Sequence, residues 1–310
     1  MKSCCVIMST YNGEKYISHQ LDSILNQIEV DLDIYIRDDG SSDGTISIVR
    51  EYCNKNKNIH FIKGNNVGVI ESFRLASLYV LENAKLYDFY SFADQDDEWL
   101  PEKIKSAIDF IVENQSSKIL PVLYYSNLKV ANNELEYMFE RFPKDYVLNT
   151  KSQLMSEICV LGCTCVFNLA LLRKYVVTNL EHRIPHDAWI AILATFLGDI
   201  LYDDRSFILY RQHNNNQSGN VKRGIRMYLS KIKRFKNIFD TDGDYEVIAK
   251  EILKNFEQEL AEPDKKMLSI VALYRTKPSF RAKLLFTNYI SSGHLWKEIS
   301  RRIRIICNRL

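Results

Sequence analysis

Two hydrophobic rhythms alternate through the first 130 residues of this chain, and that alternation limits its possible folds more than any other feature. Short apolar runs at Cys4–Met8, Leu32–Ile36, Ile59–Ile62, Phe89–Ala93 and Leu120–Tyr125 predict strands. Between them, Glu14–Gln27, Thr45–Asn54, Ile70–Asn83 and Pro101–Asn114 predict helices, with Ile17, Leu21, Ile24, Leu25 and Ile28 at helical spacing. Asp43 reads as an N-cap and Pro101 as part of a first helical turn. A βαβα order of this kind gives an α/β fold, with a mostly parallel sheet and helices on both faces. Such sheets bind ligands beyond the carboxyl ends of their strands. The polar clusters fall there: Ser9-Thr10-Tyr11-Asn12, Asp38–Thr45, Asn65-Asn66-Val67-Gly68 and Asp94-Gln95-Asp96-Asp97 each follow a predicted strand.

Beyond this front region the pattern weakens. Residues 131–157 read as loop, an apolar stretch surrounds Gly162, and a helix is expected from about Asp187 to Leu197. Short strands are expected near Ile200–Tyr202 and Phe207–Tyr210, and helices from Val221 onward. Charge divides the chain as well. Residues 211–310 hold 21 Lys+Arg against 10 Asp+Glu, whereas residues 1–210 hold 20 against 29. A first domain over 1–220 and a helical, basic region over 221–310 follow from this asymmetry.

Two amphipathic segments carry the basic charge. One sets Lys222, Arg223, Arg226, Lys231, Lys233, Arg234 and Lys236 among apolar residues; the other runs from Leu295 to Leu310. Either the apolar stripes pack on the first domain, or they attach the protein to an anionic membrane surface. Nucleic acid is not an expected partner, because the acidic front region would repel phosphate. Seven cysteines without a CxxC pair speak against a zinc site or a disulfide framework and for reduced thiols in the cytoplasm. Met1–Met8 is too short for a signal h-region, and no apolar run reaches bilayer-spanning length.

The chemistry concentrates at Asp94–Asp97. Three carboxylates within four residues repel one another unless a cation neutralises them. Mg²⁺ uses one or two carboxylates plus substrate phosphates, so the stretch predicts a metal–diphosphate clamp. Helix capping accounts for Asp97. It does not account for Asp94 and Asp96, whose i,i+2 spacing at a strand end puts both on one side. In Asp38–Thr45, a turn and a cap explain Asp43, Gly44 and Thr45. Asp38 and Asp39 remain for a nucleobase N–H or ribose hydroxyls. Thr10 and Tyr11 either end a strand or offer a stacking face to a base, and Asn66 sits in an ordinary turn on the same rim. His186-Asp187-Ala188-Trp189 opens a helix. There Asp187 is an N-cap or a general base, and Trp189 a core residue or a ligand contact. His213 lies in a polar run that is a surface loop or part of a metal shell.

Together, Ser9–Asn12, Asp38–Thr45, Asp94–Asp97 and His186–Trp189 resemble the inverting family 2 glycosyltransferases with a GT-A fold, over about residues 4–219. The subset Phe92–Trp99, His186–Trp189 and Tyr210–His213 is similar to bacterial rhamnosyltransferases of cell-wall and capsular polysaccharide synthesis. The resemblance implies a Rossmann-like GT-A domain with a nucleotide-sugar half over about 1–130 and an acceptor half over about 131–220. It implies donor contacts at Thr10, Tyr11, Asn12, Asp38, Asp39, Asn66, Asp94, Gln95 and Asp96. Asp96 and His213 would ligate Mn²⁺ or Mg²⁺, Asp187 would be the catalytic base, and His186 and Trp189 would touch the acceptor. The implied donor is a nucleoside diphosphate sugar, with dTDP-rhamnose the one indicated. The implied acceptor is a surface polysaccharide or a polyprenyl-diphosphate-linked glycan, reached from the cytoplasm or the inner membrane face. The processive members' Gln-x-x-Arg-Trp element is absent, which points to addition of one or a few sugars.

Three rival readings fare worse. A sugar nucleotidyltransferase would need a Gly-rich, Arg-containing phosphate loop that Ser9–Gly13 does not supply. A non-catalytic membrane scaffold has no need for Asp39, Asp96 and Asp187 together. A dinucleotide oxidoreductase would carry GxGxxG after its first strand.

Overall fold

The front of the chain folds as its rhythm predicts. In order come β1 (Lys2–Thr10), α1 (Ile17–Leu25), β2 (Val30–Asp38), α2 (Thr45–Lys55), β3 (Ile59–Lys63), α3 (Val69–Asn83) and β4 (Phe89–Ala93). Then follow β5 (Glu98–Trp99), α4 (Lys103–Asn114), β6 (Val122–Ala131), β7 (Tyr137–Glu140), β8 (Val166–Asn168), α5 (Leu169–Val177), α6 (His186–Leu197) and β9 (Asp199–Arg211). Among the described residues, four helices follow: α7 (Tyr245–Phe256), α8 (Glu262–Leu273), α9 (Pro278–Phe286) and α10 (Leu295–Ile306). This is a computed structural model, and it describes residues 1–143, 151, 160–178, 180, 184–213, 245–287, 289–291 and 295–309.

The strands form one sheet in the order β3-β2-β1-β4-β8-β6-β9-β5, with β7 paired to β6. Pairing is parallel from β3 to β4 and again between β6 and β9. The expected mostly parallel sheet is therefore mixed. β8 lies antiparallel between β4 and β6, and β5 and β7 are antiparallel as well. Because β8 opposes both neighbours, β6 and β9 run in the same direction as β1–β4. Their carboxyl ends thus share one rim with those of β1, β2 and β4.

Alternation along β1 feeds two cores. Cys4, Val6 and Met8 pack with Ile17, Leu21, Val49, Ile104 and Ile108 of α1, α2 and α4. Cys5 and Ile7 face the other way, toward Phe73 of α3, Leu171 of α5 and Trp189 of α6. Ile252 of α7, Leu268 of α8, Leu284 of α9 and Ile305 of α10 belong to that second core. These four helices therefore share apolar interior with the sheet.

Three further expectations change. β7 lies within residues 131–157, which the sequence reads as loop. The strands predicted at Ile200–Tyr202 and Phe207–Tyr210 are one strand, β9. Its register against β6 jumps from Ser126↔Asp203 to Asn127↔Ser206. The polar Asp204 and Arg205 are absorbed as a bulge, and Asp203 is satisfied by the Tyr124 hydroxyl at 2.9 Å and by Arg205. β8 and α5 fill the region read only as an apolar stretch near Gly162. The basic segment Lys222–Lys236 lies outside the described residues. In the other basic segment, Ile305 is fully buried, and Arg301 donates to the Leu284 carbonyl at 2.9 Å while pairing with Glu298. That stripe packs on the protein itself. Among the described residues, no helix is long and apolar enough to cross a membrane.

Candidate active site

Two acidic loops meet on the rim, and their carboxylates sit in opposite environments. In the loop after β2, Asp38 is fully buried and accepts from the Gly40 and Ser41 N–H groups at 3.1 and 2.9 Å and from the Ser41 hydroxyl. Gly40 allows this turn: its φ of +82° suits glycine, and a Cβ there would stand 3.0 Å from the Asn66 nitrogen. Asp39 pairs with Arg37 at 2.6 Å and accepts from the Val67 and Gly68 N–H groups at 3.0 and 2.9 Å. It thereby ties the β2 loop to the start of α3. Asp43 accepts from the Thr45 N–H at 3.0 Å and caps α2 as expected.

The loop after β4 is not satisfied in this way. The strand ends at Ala93 and the chain bends, so the alternation predicted for Asp94 and Asp96 does not continue. Asp94 instead groups with Asp97 and Cys163, their ligand atoms all within 4.8 Å of one another. Burial, then the charges of Asp96 and Asp187, push Asp94 up to about 7, partly offset by a hydrogen bond from the Cys163 thiol. Burial, then the charges of Asp96 and Asp94, hold Asp97 well above the usual carboxylate range. Asp97 is no helix cap. Its Oδ1 accepts from the Arg211 N–H at 3.1 Å, and its buried Oδ2 has no hydrogen-bond partner. Burial, then the charges of Asp97 and Asp94, also raise the Cys163 thiol.

The Oδ2 of Asp96 lies 2.7 Å from Nε2 of His213. The two residues are 117 positions apart in sequence. A carboxylate and an imidazole converging on one point, beside unneutralised acids and a partnerless buried oxygen, fit a hard divalent cation. Diphosphate oxygens could complete its shell.

Gln95 closes the rim. Its Oε1 accepts from the Thr10 hydroxyl at 2.6 Å and the Tyr11 N–H at 2.9 Å, and its Nε2 donates to the Tyr11 carbonyl at 3.1 Å. Asn12, at φ +48°, joins the β1 loop to Ser41 and Ser42. The Tyr11 ring and Asn66 are exposed on this rim.

At the first turn of α6, half-buried Asp187 lies close enough to Asp94 to raise it. Its neighbours are corrections to the predicted acceptor contacts. Trp189 is fully buried, and its indole nitrogen has no partner. The His186 ring stacks on Phe73 at 4.0 Å and meets Phe92 edge-on at 5.3 Å. Burial lowers its pKa. Both are core side chains, because ten of the twelve residues of α6 are buried. Of this helix only Asp187, in the first turn, and Leu197, at the last position, are not buried.

The model for glycosyl transferase family 2 matches residues 5–176. The chain belongs to this family. It is 35% identical over 227 residues to the dTDP-rhamnosyl transferase RfbG of Shigella flexneri, covering 68% of this chain and 73% of that protein. It is 26% identical to the UDP-Glc:alpha-D-GlcNAc-diphosphoundecaprenol beta-1,3-glucosyltransferase WfgD of Escherichia coli, over 77% and 85% of the two chains. Among solved structures, S. aureus TarS 1–349 in complex with UDP-GlcNAc aligns with a TM-score of 0.53 and 17% identity, over 98% of this chain and 90% of that one. That alignment supports the GT-A fold, and the protein is a glycosyltransferase.

Two residues of this glycosyltransferase site were missed in the sequence. Lys103 has the spacing of an ordinary amphipathic helix, yet it is buried, with Nζ 3.5 Å above the Trp99 ring and 3.2 Å from the Ser91 hydroxyl. Burial lowers it to about 8, and the charge of Asp97 acts in the opposite sense. It is a cation set beneath the acidic loop. Arg211, at the end of β9, donates from Nε to the Asp96 carbonyl at 2.8 Å. Lys103 carries no local signal, whereas Arg211 lies in the Tyr210–His213 motif, which by itself gave it no role; the sheet order brings Arg211 to the rim.

Proposed function

We propose that this glycosyltransferase moves rhamnose from dTDP-rhamnose, with inversion, onto a hydroxyl of a surface polysaccharide or lipid-linked glycan. The likeness to the dTDP-rhamnosyl transferase supports the donor. The diphosphoundecaprenol-specific relative supports the acceptor class. The observation that carries the chemistry is the convergence of Asp187 with the Asp94–Asp97 acids on one rim.

Asp187 takes the proton from the acceptor hydroxyl as that oxygen attacks the anomeric carbon. A single displacement inverts that carbon and needs no covalent intermediate. Thr10, Tyr11, Asn12, Asp39 and Asn66 form the nucleotide side, with Asp94 and Gln95 toward ribose and diphosphate. Asp38 acts indirectly, by shaping the loop. Asp96 and His213 would hold Mn²⁺ or Mg²⁺, which supplies positive charge against that developing on the departing diphosphate. Residues 1–220 would carry this chemistry, and the basic segment around Lys222–Lys236 would meet anionic lipid.

A screen of purified sugar nucleotides with a lipid-linked glycan acceptor tests the reading. Release of dTDP from dTDP-rhamnose is expected, and pyrophosphate release would refute transfer. Asp187→Asn should bind donor normally while transfer falls by about 10²–10⁴-fold; retained turnover would remove Asp187 as the base. Liposome flotation should weaken when the basic residues of Lys222–Lys236 are neutralised.

A further inference from the structure

Four separate segments converge around the Asp96–His213 pair, and three of their side chains, Tyr16, Arg211 and Asn133, have no role in the chemistry above. The Tyr16 ring, just ahead of α1, stacks on the His213 imidazole with centroids 4.8 Å apart and planes 24° from parallel. The Arg211 guanidinium lies 4.9 Å from the same tyrosine ring. The Tyr16 hydroxyl donates to Oδ1 of Asn133 at 2.7 Å, in the turn between β6 and β7. Arg211 donates to the Asn133 carbonyl from one terminal nitrogen and to the Asp96 carbonyl from Nε. Its own N–H reaches Asp97. Tyr16 therefore fixes the plane of the imidazole, Arg211 fixes the backbone that carries the carboxylate, and Asn133 ties the two together.

We infer that Tyr16 is a positioning residue for the metal site, acting through His213, with Arg211 and Asn133 as its supports. The inference rests on Asp96 and His213 being the ligands. An imidazole beyond the end of β9 turns about two side-chain torsions, and a stacked ring restrains the ring rotation. Preorientation of a ligand by its outer contacts commonly changes metal affinity by about 10–100-fold. Tyr16 is half-buried and outside both cores, so its replacement spares the interior.

The test is Mn²⁺ titration followed by electron paramagnetic resonance, with dTDP present and no acceptor. Tyr16→Leu should weaken Mn²⁺ about tenfold, at the low end of that range, with the melting temperature in chelator unchanged. Tyr16→Phe keeps the stacked ring and loses the Asn133 bond, and should restore affinity to within about threefold of the parent. His213→Ala runs alongside. Loss of Mn²⁺ affinity in His213→Ala but not in Tyr16→Leu overturns the positioning role and leaves the metal assignment standing. Unchanged affinity in both overturns the two together. Equal loss in the Phe and Leu variants also overturns the inference, because the hydroxyl and not the ring would then be responsible.

Discussion

The loops after β2 and β4 each place adjacent aspartates at the end of a buried strand, yet they do different work. Asp38 and Asp39 spend their oxygens on Gly40, Ser41, Val67, Gly68 and Arg37. Asp94 and Asp97 face each other, and one buried oxygen of Asp97 has no partner. A buried carboxylate surrounded by N–H donors stabilises the fold it sits in. One surrounded by other carboxylates costs stability until positive charge arrives. The carboxylates of the first loop are already satisfied by the fold around them, and those of the second are left facing one another's charge.

The largest expected effect comes from removing the carboxylate that faces His213. Asp96→Ala should abolish the Mn²⁺-dependent thermal shift with dTDP and lower transfer by about 10²–10³-fold, the size of losing one charge-stabilising group. A normal metal-dependent shift in that variant would break the contrast between the loops. Next in size, Asp38→Ala leaves the Gly40 and Ser41 donors unsatisfied inside the protein. It should cost about 1–3 kcal/mol by denaturant titration, with the metal dependence of transfer unchanged. Asp97→Asn sharpens the comparison from the other side. Asparagine can still accept from Arg211 through Oδ1 and cannot ionise beside the other acids, so the melting temperature in chelator should hold or rise. A fall as large as that of Asp38→Ala would show the second loop to be structural as well.

The smallest effect is in pH. Burial works to raise Asp43, but hydrogen bonds from the Thr45 hydroxyl and N–H outweigh it and leave the carboxyl below its usual 3.8. A folded pKa below the unfolded one gives stability that is present above pH 3.8 and lost as pH falls through the folded value. Asp43→Asn should flatten that acid-side loss in thermal melts between pH 4 and 2. An unchanged profile would mean that the cap contributes nothing through its charge.

Legibility in the sequence follows the range of the interactions. β1 to β4 and the helices between them were readable because each buries one face locally, with a period of two or near four. β9 was read as two strands because a polar bulge interrupts its hydrophobic run. α6 did carry a usable signal: His186–Leu197 has apolar residues on every side, which marks an enclosed helix and so a buried Trp189. Lys103 carried no such signal, since a lysine in a helical first turn is ordinary, and Arg211 was marked only by its place in the Tyr210–His213 motif, which gives it no contact.

By itself, the sequence determined the α/β class, the placement of polar clusters at strand ends, and the family whose chemistry those clusters match. Periodicity and short motifs encode these within a few residues. Tertiary structure alone decided which carboxylates are satisfied and which are exposed to one another's charge. It alone brought Asp96 to His213, Asp187 to Asp94 and Tyr16 to the imidazole. Those outcomes depend on β8 entering the sheet antiparallel, so that β6 and β9 end on the same rim as β4. Strand order is set by long-range packing, which local pattern does not record.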